Sequence, residues 1–153
     1  MFTTAALHQL EVGVKSMIQI LQHVSYEELQ LQPIHNKRSL FNICTHMALI
    51  PHADLLIANG ASKEELDRFY NRYTFSTTQD IQKTLLESFH FLRETFQSYS
   101  ITELKEINQS YWGVSYTRFE WLLQIVAHFY HHRAQLHTLL TEHIRDLHIP
   151  LFE

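Results

Sequence analysis

The sequence predicts an all-α fold, a four-helix bundle with long connections between helices 2 and 3 and between helices 3 and 4. Three observations support this prediction. Hydrophobic residues recur at steps of three and four in four segments, which is the spacing of one buried helix face. Three glycines and three prolines leave few turn signals for many short strands. The length of 153 residues is typical of one domain and no internal repeat divides it, so we expect a single domain over residues 1–153.

The first two helices are predicted from hydrophobic stripes and from the residues that bound them. The first stripe covers residues 7–24, and residues 25–28 (SYEE) have the spacing of a capping box, so a short helical turn is expected there. The second stripe covers residues 40–57, opens at a serine suited to an N-cap, and ends before Asn59-Gly60. Pro51 lies inside this stripe and removes one backbone donor, so we expect it to kink the helix.

The third and fourth helices follow two less regular stretches. Residues 61–78 are polar and predict a long connection with at most one helical turn. The third stripe covers residues 81–99, and the mixed segment after it turns at Gly113. The fourth helix is predicted over residues 117–139, where a second capping box precedes the stripe.

Composition excludes several classes of function. The net charge of −4 argues against nucleic acid or anionic lipid as the main partner, because both require a basic surface. Cys44 is the single cysteine, which excludes an intramolecular disulfide and a cysteine-rich zinc finger and predicts a buried thiol. The sequence shows no signal-peptide pattern and no long uninterrupted apolar run, so a soluble cytoplasmic protein is expected. Motifs of phosphate-loop NTPases, dinucleotide dehydrogenases, α/β-hydrolases and zincin proteases are missing.

Histidine is unusually frequent, with twelve residues, and three of them are candidate metal ligands. His128 and His132 are four residues apart, so both imidazoles point to the same side of the fourth helix. Roughly one such pair is expected by chance in this composition, so the pair alone is weak evidence. In heptad positions, however, His132 lies on the core seam, and His128 and His46 lie beside it on two helices. Three protein ligands with an open fourth position are typical of catalytic zinc sites, whereas the alternative is a set of core histidines each satisfied by one hydrogen bond.

Two further features lie near these histidines in the predicted helices. Asp54, two turns after His46, is positioned to orient a ligand imidazole or act as a base, but Pro51 makes the register uncertain and favours a solvent-exposed Asp54. The aromatic residues of segment 111–116 either shape the mouth of a pocket or seal one end of the bundle.

Three segments resemble the DinB/YfiT-like proteins. Residues 112–118 (WGVSYTR) and 122–136 (LLQIVAHFYHHRAQL) are similar to the last third of that family, and residues 39–46 (SLFNICTH) are similar to its earlier histidine motif. The resemblance implies a four-helix bundle, often dimeric, with a metal held by three histidines. Carried over by position, these are His46, His128 and His132. The sequence departs from the family pattern at Ala134, where a glycine is usual, and this adds a methyl group at a possible helix contact.

The resemblance also implies chemistry, since family members include metal-dependent S-transferases that use low-molecular-weight thiols such as bacillithiol or mycothiol. We therefore expect an enzyme with a divalent metal, zinc or nickel, that activates a thiol or water to attack a small electrophile. Arg133 and Gln135 are candidates for supporting the ligands or orienting the substrate. The expected partners are a small thiol and an electrophile, in a homodimer, without nucleic acid or membrane. A metal-dependent hydrolase and a non-catalytic metal- or pH-responsive bundle are the alternatives.

Overall fold

Residues 2–153, which a computed structural model describes, form seven helices and one small sheet. The helices are α1 (Phe2–His23), α2 (Tyr26–Leu29), α3 (Leu40–Ala58), α4 (Lys63–Tyr70), α5 (Thr78–Ser98), α6 (Ile101–Leu104) and α7 (Arg118–His143). The sheet pairs β1 (Ile107–Gln109) with β2 (Ser115–Thr117) in antiparallel register. The predicted helical class is confirmed. The connections contain three short helices and a hairpin. Of these, the turn at α2 was predicted, α4 is longer than the single turn expected within residues 61–78, and α6 and the hairpin were not predicted.

The four long helices pack against one another around one apolar core. Helix α3 contacts α5 and α7, and α1 contacts the same two helices. The core includes the fully buried side chains Leu10, Met17, Ile20, Ile43, Met47, Leu85, Leu92, Ile125, Phe129 and Leu136. Because α3 and α7 are direct neighbours, residues on their facing sides can meet although they are far apart in sequence.

The predicted helix boundaries follow from capping hydrogen bonds. Ser25 and Glu28 form the expected capping box, and so do Thr117 and Glu120 at the start of α7. The Thr117 Oγ1 accepts from the Glu120 amide at 3.2 Å, and the Glu120 carboxylate accepts from the Thr117 amide at 2.8 Å. Gly60, with φ of +82°, follows the last residues of α3. These caps fix where α3 ends and α7 begins, and therefore the register of the residues they carry.

Helix α3 is the most apolar of the long helices. By length and composition it could cross a membrane, but 56% of its most apolar window is buried inside the fold. The core helix of a soluble protein has the same properties, so this helix is weak evidence for a membrane. Pro51 lies within α3, which continues for seven residues beyond it, to Ala58.

Cys44, on α3, is fully buried, and burial raises the pKa of its thiol. We expect the native protein to react with a thiol reagent such as DTNB much more slowly than the urea-unfolded chain, since only the accessible thiolate reacts. The release of thionitrobenzoate at pH 8 measures this difference. Equal rates in the native and unfolded states would contradict the buried placement.

Candidate metal centre

Three histidines from α3 and α7 converge at one point. His46 comes from α3, and His128 and His132 come from successive turns of α7. One nitrogen from each ring lies within 4.8 Å of the other two, and all three residues are half-buried. The Nε2 atoms of His46 and His128 are 3.3 Å apart. The structure thus brings together the three histidines that the heptad positions place at the edge of the core.

The donor set fits a divalent metal. Two nitrogens bound to one tetrahedral ion at about 2.0–2.1 Å lie about 3.3–3.4 Å from each other. The distance between the Nε2 atoms of His46 and His128 has this value. Three imidazoles form a neutral nitrogen set of the kind that zinc and other transition metals bind, and they leave room for a further ligand.

Asp54 fixes the orientation of His128. Its Oδ2 accepts a hydrogen bond from Nδ1 of His128 at 2.7 Å, and its side chain is only 14% exposed. With the proton held on Nδ1, the Nε2 of His128 is left as an acceptor facing His46. The expectation of a solvent-exposed Asp54 is therefore wrong, because α3 continues through Pro51 and keeps Asp54 beside α7.

Gln135 contacts the cluster from the following turn of α7. Its Oε1 accepts a hydrogen bond from Nδ1 of His132 at 3.1 Å. This bond leaves the Nε2 of His132 free of its proton. Gln135 thus does for His132 what Asp54 does for His128, with a neutral acceptor in place of a carboxylate.

Arg133, the other candidate for a supporting role, is directed elsewhere. Its side chain is 2% exposed and donates to Ser16 Oγ at 3.1 Å and to the carbonyl of Leu151 at 2.5 Å. The guanidinium lies over the rings of both Tyr130 and Phe152. These partners belong to α1, α7 and the C-terminal segment, so Arg133 joins the end of the chain to the helices and does not contact the histidines.

The surroundings of His46 and His132 favour their neutral forms. Burial, together with the positive charge of Arg38, lowers the pKa of His46 to about 3. Burial also lowers the pKa of His132, although its hydrogen bond to Gln135 acts in the opposite direction. Imidazole must be neutral to bind a metal, so His46 and His132 are ready to act as ligands at pH 7 without losing a proton first.

Two cavities reach the histidines. A cavity of about 510 Å³ is lined by His46 and by Arg38, Asn42, Tyr70, Tyr73 and Phe75, among others. A smaller one, of about 200 Å³, is lined by Asp54, Ile57, Trp112, Trp121, Gln124 and His128. The aromatic segment 111–116 was expected either to shape the mouth of a pocket or to seal one end of the bundle. Trp112 lines the smaller cavity, which favours the first alternative. Sequence reasoning missed Arg38 and Tyr70, because residues 61–78 show no long stripe and Arg38 lies in a polar loop.

Replacing Asp54 with Asn tests its role directly. We expect Asp54→Asn to weaken metal affinity by about 10- to 100-fold, because the amide is a poorer acceptor and can present an N–H to Nδ1. A competition titration against a coloured chelator measures the affinity. Asp67→Asn, an exposed carboxylate on α4 that pairs with Lys63, is the control and should bind metal like the wild type. Unchanged affinity in Asp54→Asn would remove the residue from the site.

The comparisons with known proteins support the fold. No family model and no curated protein matches the sequence. The fold matches the crystal structure of a protein assigned to the DinB family from Exiguobacterium sibiricum, with 28% identity and a TM-score of 0.89 over 99% of this chain and 97% of that one. This match confirms the predicted resemblance to the DinB-like proteins. Two more distant DinB-like structures share the fold. One is from Bacillus cereus (16% identity, TM-score 0.74, 93% and 94% covered) and one from Bacillus subtilis (14%, 0.73, 95% and 95%).

The departure from the DinB-like pattern at position 134 has little structural consequence. Ala134 lies in the middle of α7 with an exposed side chain, so its methyl group does not crowd a neighbouring helix. Alanine also favours the helix more than glycine does. The substitution therefore leaves His132 and Gln135 in place on either side of it.

Proposed function

We propose that this DinB-like protein is a divalent-metal-dependent thiol S-transferase, with His46, His128 and His132 as the metal ligands. The observation that carries the proposal is the convergence of three imidazoles beside two separate cavities. Zinc and nickel are the metals we expect, since both accept nitrogen ligands of this kind. A metal with an open position lowers the pKa of a bound thiol or water and so supplies a nucleophile near neutral pH.

The side chains around the histidines have distinct tasks in this proposal. Asp54 holds the Nδ1 proton of His128, and Gln135 holds that of His132, so both rings keep the orientation needed for binding. Trp112 and Trp121 give the smaller cavity an apolar wall on the side of His128. This wall suits the body of a small electrophile, while the larger cavity beside His46 suits the thiol.

The two cavities favour transfer over hydrolysis by the same site. Hydrolysis requires one organic substrate and a water molecule, whereas S-transfer requires two organic molecules that approach the same ion. A cavity on the His46 side and another on the His128 side provide a place for each. Metal-dependent hydrolysis remains the second candidate, supported by the open position that three ligands leave.

A non-catalytic pH-responsive bundle is less well supported. Such a switch requires histidines that change charge between about pH 5 and 8. Burial and nearby positive charge lower the pKa of His46 to about 3, and the pKa of His132 is also lowered. His46 therefore stays neutral across the physiological range, and the lowered pKa of His132 acts in the same direction, which suits metal ligands better than pH sensors.

The wider setting of the proposal follows the family resemblance. We propose that residues 1–153 form a single four-helix-bundle domain, in which the short helices belong to the connections. We also propose that the protein is a cytoplasmic homodimer and that its substrates are a small-molecule thiol and an electrophile. Neither nucleic acid nor a membrane has a part in it, in keeping with the net charge of −4.

A coupled assay tests the activity. Zinc- or nickel-loaded protein is mixed with a panel of small thiols and with 1-chloro-2,4-dinitrobenzene, where the thiol sulfur forms a bond to the ring, chloride leaves and the thiol proton passes to solvent. We expect thioether formation with loaded protein and only the background rate with chelator-treated protein. Equal rates in both would contradict the proposal, and metal-dependent cleavage of p-nitrophenyl acetate without any thiol would favour the hydrolase.

A further inference from the structure

We propose that the larger cavity binds a carboxylate-bearing co-substrate whose carboxylate pairs with Arg38. This inference rests on the proposed function and names the class of thiol that the site takes. The cavity of about 510 Å³ lies within the range of small-molecule sites, roughly 300–1,000 Å³. Arg38 and His46 both line it. A molecule bound there can therefore contact a cation with one end and reach the histidines with the other.

Arg38 is held at the cavity by the start of α3. Ser39 caps this helix by accepting a hydrogen bond from the amide of Asn42 at 3.1 Å, so Arg38 is the last residue before the cap. The loop before it contains Asn36 in the left-handed region, with φ of +59°. Helix α3 then carries Asn42, Thr45 and His46 along the same cavity. The backbone of Arg38 is thus fixed relative to His46, while its side chain remains exposed.

The charge of Arg38 is not neutralised by the protein. Among residues 2–153, Arg93, Arg118 and Arg145 each have a carboxylate within 4.0 Å, whereas Arg38 has none, and neither do Arg68, Arg72 and Arg133. None of the eight residues that line the cavity is an aspartate or a glutamate. Arg38 is therefore a cation at the cavity that no carboxylate of the protein neutralises. A guanidinium can bind a carboxylate through two parallel hydrogen bonds, so a carboxylate on a ligand suits this position.

The other lining groups fit the remainder of such a molecule. Leu49 and Phe75 give an apolar surface, and the phenols of Tyr70 and Tyr73 border it. Burial raises the pKa of Tyr70 to about 12, so its hydroxyl stays protonated and available as a donor. A short apolar chain or ring with a carboxylate at one end and a thiol at the other has a partner for each of its parts among these lining groups.

Other basic cavities lack this combination. A cavity of about 340 Å³ is lined by Arg68 and Arg72, but it also contains Glu65. A cavity of about 450 Å³ contains Lys15 and Arg93 together with Glu11 and Glu87. Neither includes any of the three histidines. The Arg38 cavity therefore differs from both, because its lining contains no carboxylate and includes a candidate metal ligand, His46.

A matched pair of thiols tests the inference. The probes are 6-mercaptohexanoate and 6-mercapto-1-hexanol, which have the same chain length and differ only in the terminal group. In the first, the carboxylate is too far from the sulfur for both to bind the same metal ion readily. Binding to cobalt-loaded protein is followed by the sulfur-to-cobalt charge-transfer band. We expect the wild type to prefer the carboxylate by about tenfold, as a charge-assisted hydrogen bond of roughly 1.5 kcal/mol gives.

Two variants separate the role of Arg38 from the effect of losing one positive charge in this part of the surface. Arg38→Gln should lose the preference while binding 6-mercapto-1-hexanol as before. Lys37→Gln removes the same charge from the neighbouring residue, which does not line the cavity, and should keep the preference. Equal binding of both thiols by the wild type, or a preference that survives in Arg38→Gln, would overturn the inference and leave the metal site untouched.

A third probe keeps the two proposals distinguishable. If neither thiol binds to cobalt-loaded protein, the S-transferase proposal fails, and the anion site is then judged with benzoate alone by NMR line broadening. Binding of benzoate to the wild type but not to Arg38→Gln would support the Arg38 site. Absence of benzoate binding, or equal binding by both proteins, would overturn it.

Discussion

The variant His128→Ala is expected to lose stoichiometric metal binding. Wild-type protein, purified without a metal column and reconstituted with zinc, should hold about one equivalent, because three imidazoles with one open position form a complete protein ligand set. Removing His128 leaves two ligands on different helices, His46 and His132, and also leaves Asp54 without its partner. We expect less than a tenth of the wild-type zinc after dialysis, measured by inductively coupled plasma mass spectrometry.

A matched histidine on the same helix provides the control. His137 lies on α7 outside the cluster, so His137→Ala should keep about one equivalent of zinc. Circular dichroism of both variants shows whether the helices remain folded. Full zinc retention by a folded His128→Ala protein would contradict the three-histidine site.

The variant Phe129→Ala is expected to have the largest effect on stability. Phe129 is fully buried on α7, next to His128, and its ring packs against the backbone of Gly13, where even a Cβ atom would come within 3.1 Å. Truncation removes a large apolar surface and leaves a cavity that this close packing cannot easily fill. We expect the free energy of unfolding to fall by about 3–5 kcal/mol, measured by urea denaturation of metal-free protein.

A substitution to alanine at an exposed position of the same helix is the control, because it changes the helix propensity without removing a buried side chain. Leu123 is 47% exposed, so Leu123→Ala should change the free energy of unfolding by less than about 1 kcal/mol. A loss below about 1 kcal/mol for Phe129→Ala would mean that α1 and α7 do not pack as described.

The long helices were predictable because their signals are local. The stripes follow from helical periodicity, and the capping boxes at Ser25 and Thr117 depend on residues only three positions apart. Helix α4 has two turns and buries only Leu66 and Phe69, too few positions to show a period. The β1–β2 hairpin was missed because strands of three residues give almost no alternation.

The candidate site was predictable in part for the same reason. The positions of His46, His128 and His132 relative to the core seam follow from periodicity, so their convergence could be anticipated. The contact of Asp54 with His128 depends on how α3 behaves at Pro51, and local sequence does not determine that. Arg38 could be placed at the cavity only from tertiary structure.

Arg133 illustrates the opposite error. Its position beside His132 suggested a role at the site, but neighbours in a helix point about 100° apart. The arginine therefore faces Ser16 and the C-terminal segment.

X-ray absorption at the zinc edge of reconstituted wild-type protein tests the central claim most directly. The account predicts three imidazole ligands at about 2.0–2.1 Å, visible through their outer-ring scattering, and one further light-atom ligand. Addition of a small thiol should replace that ligand with sulfur at about 2.3 Å and leave the three imidazoles in place. A spectrum with fewer than two imidazoles, or a protein that takes up no metal, would contradict the three-histidine centre.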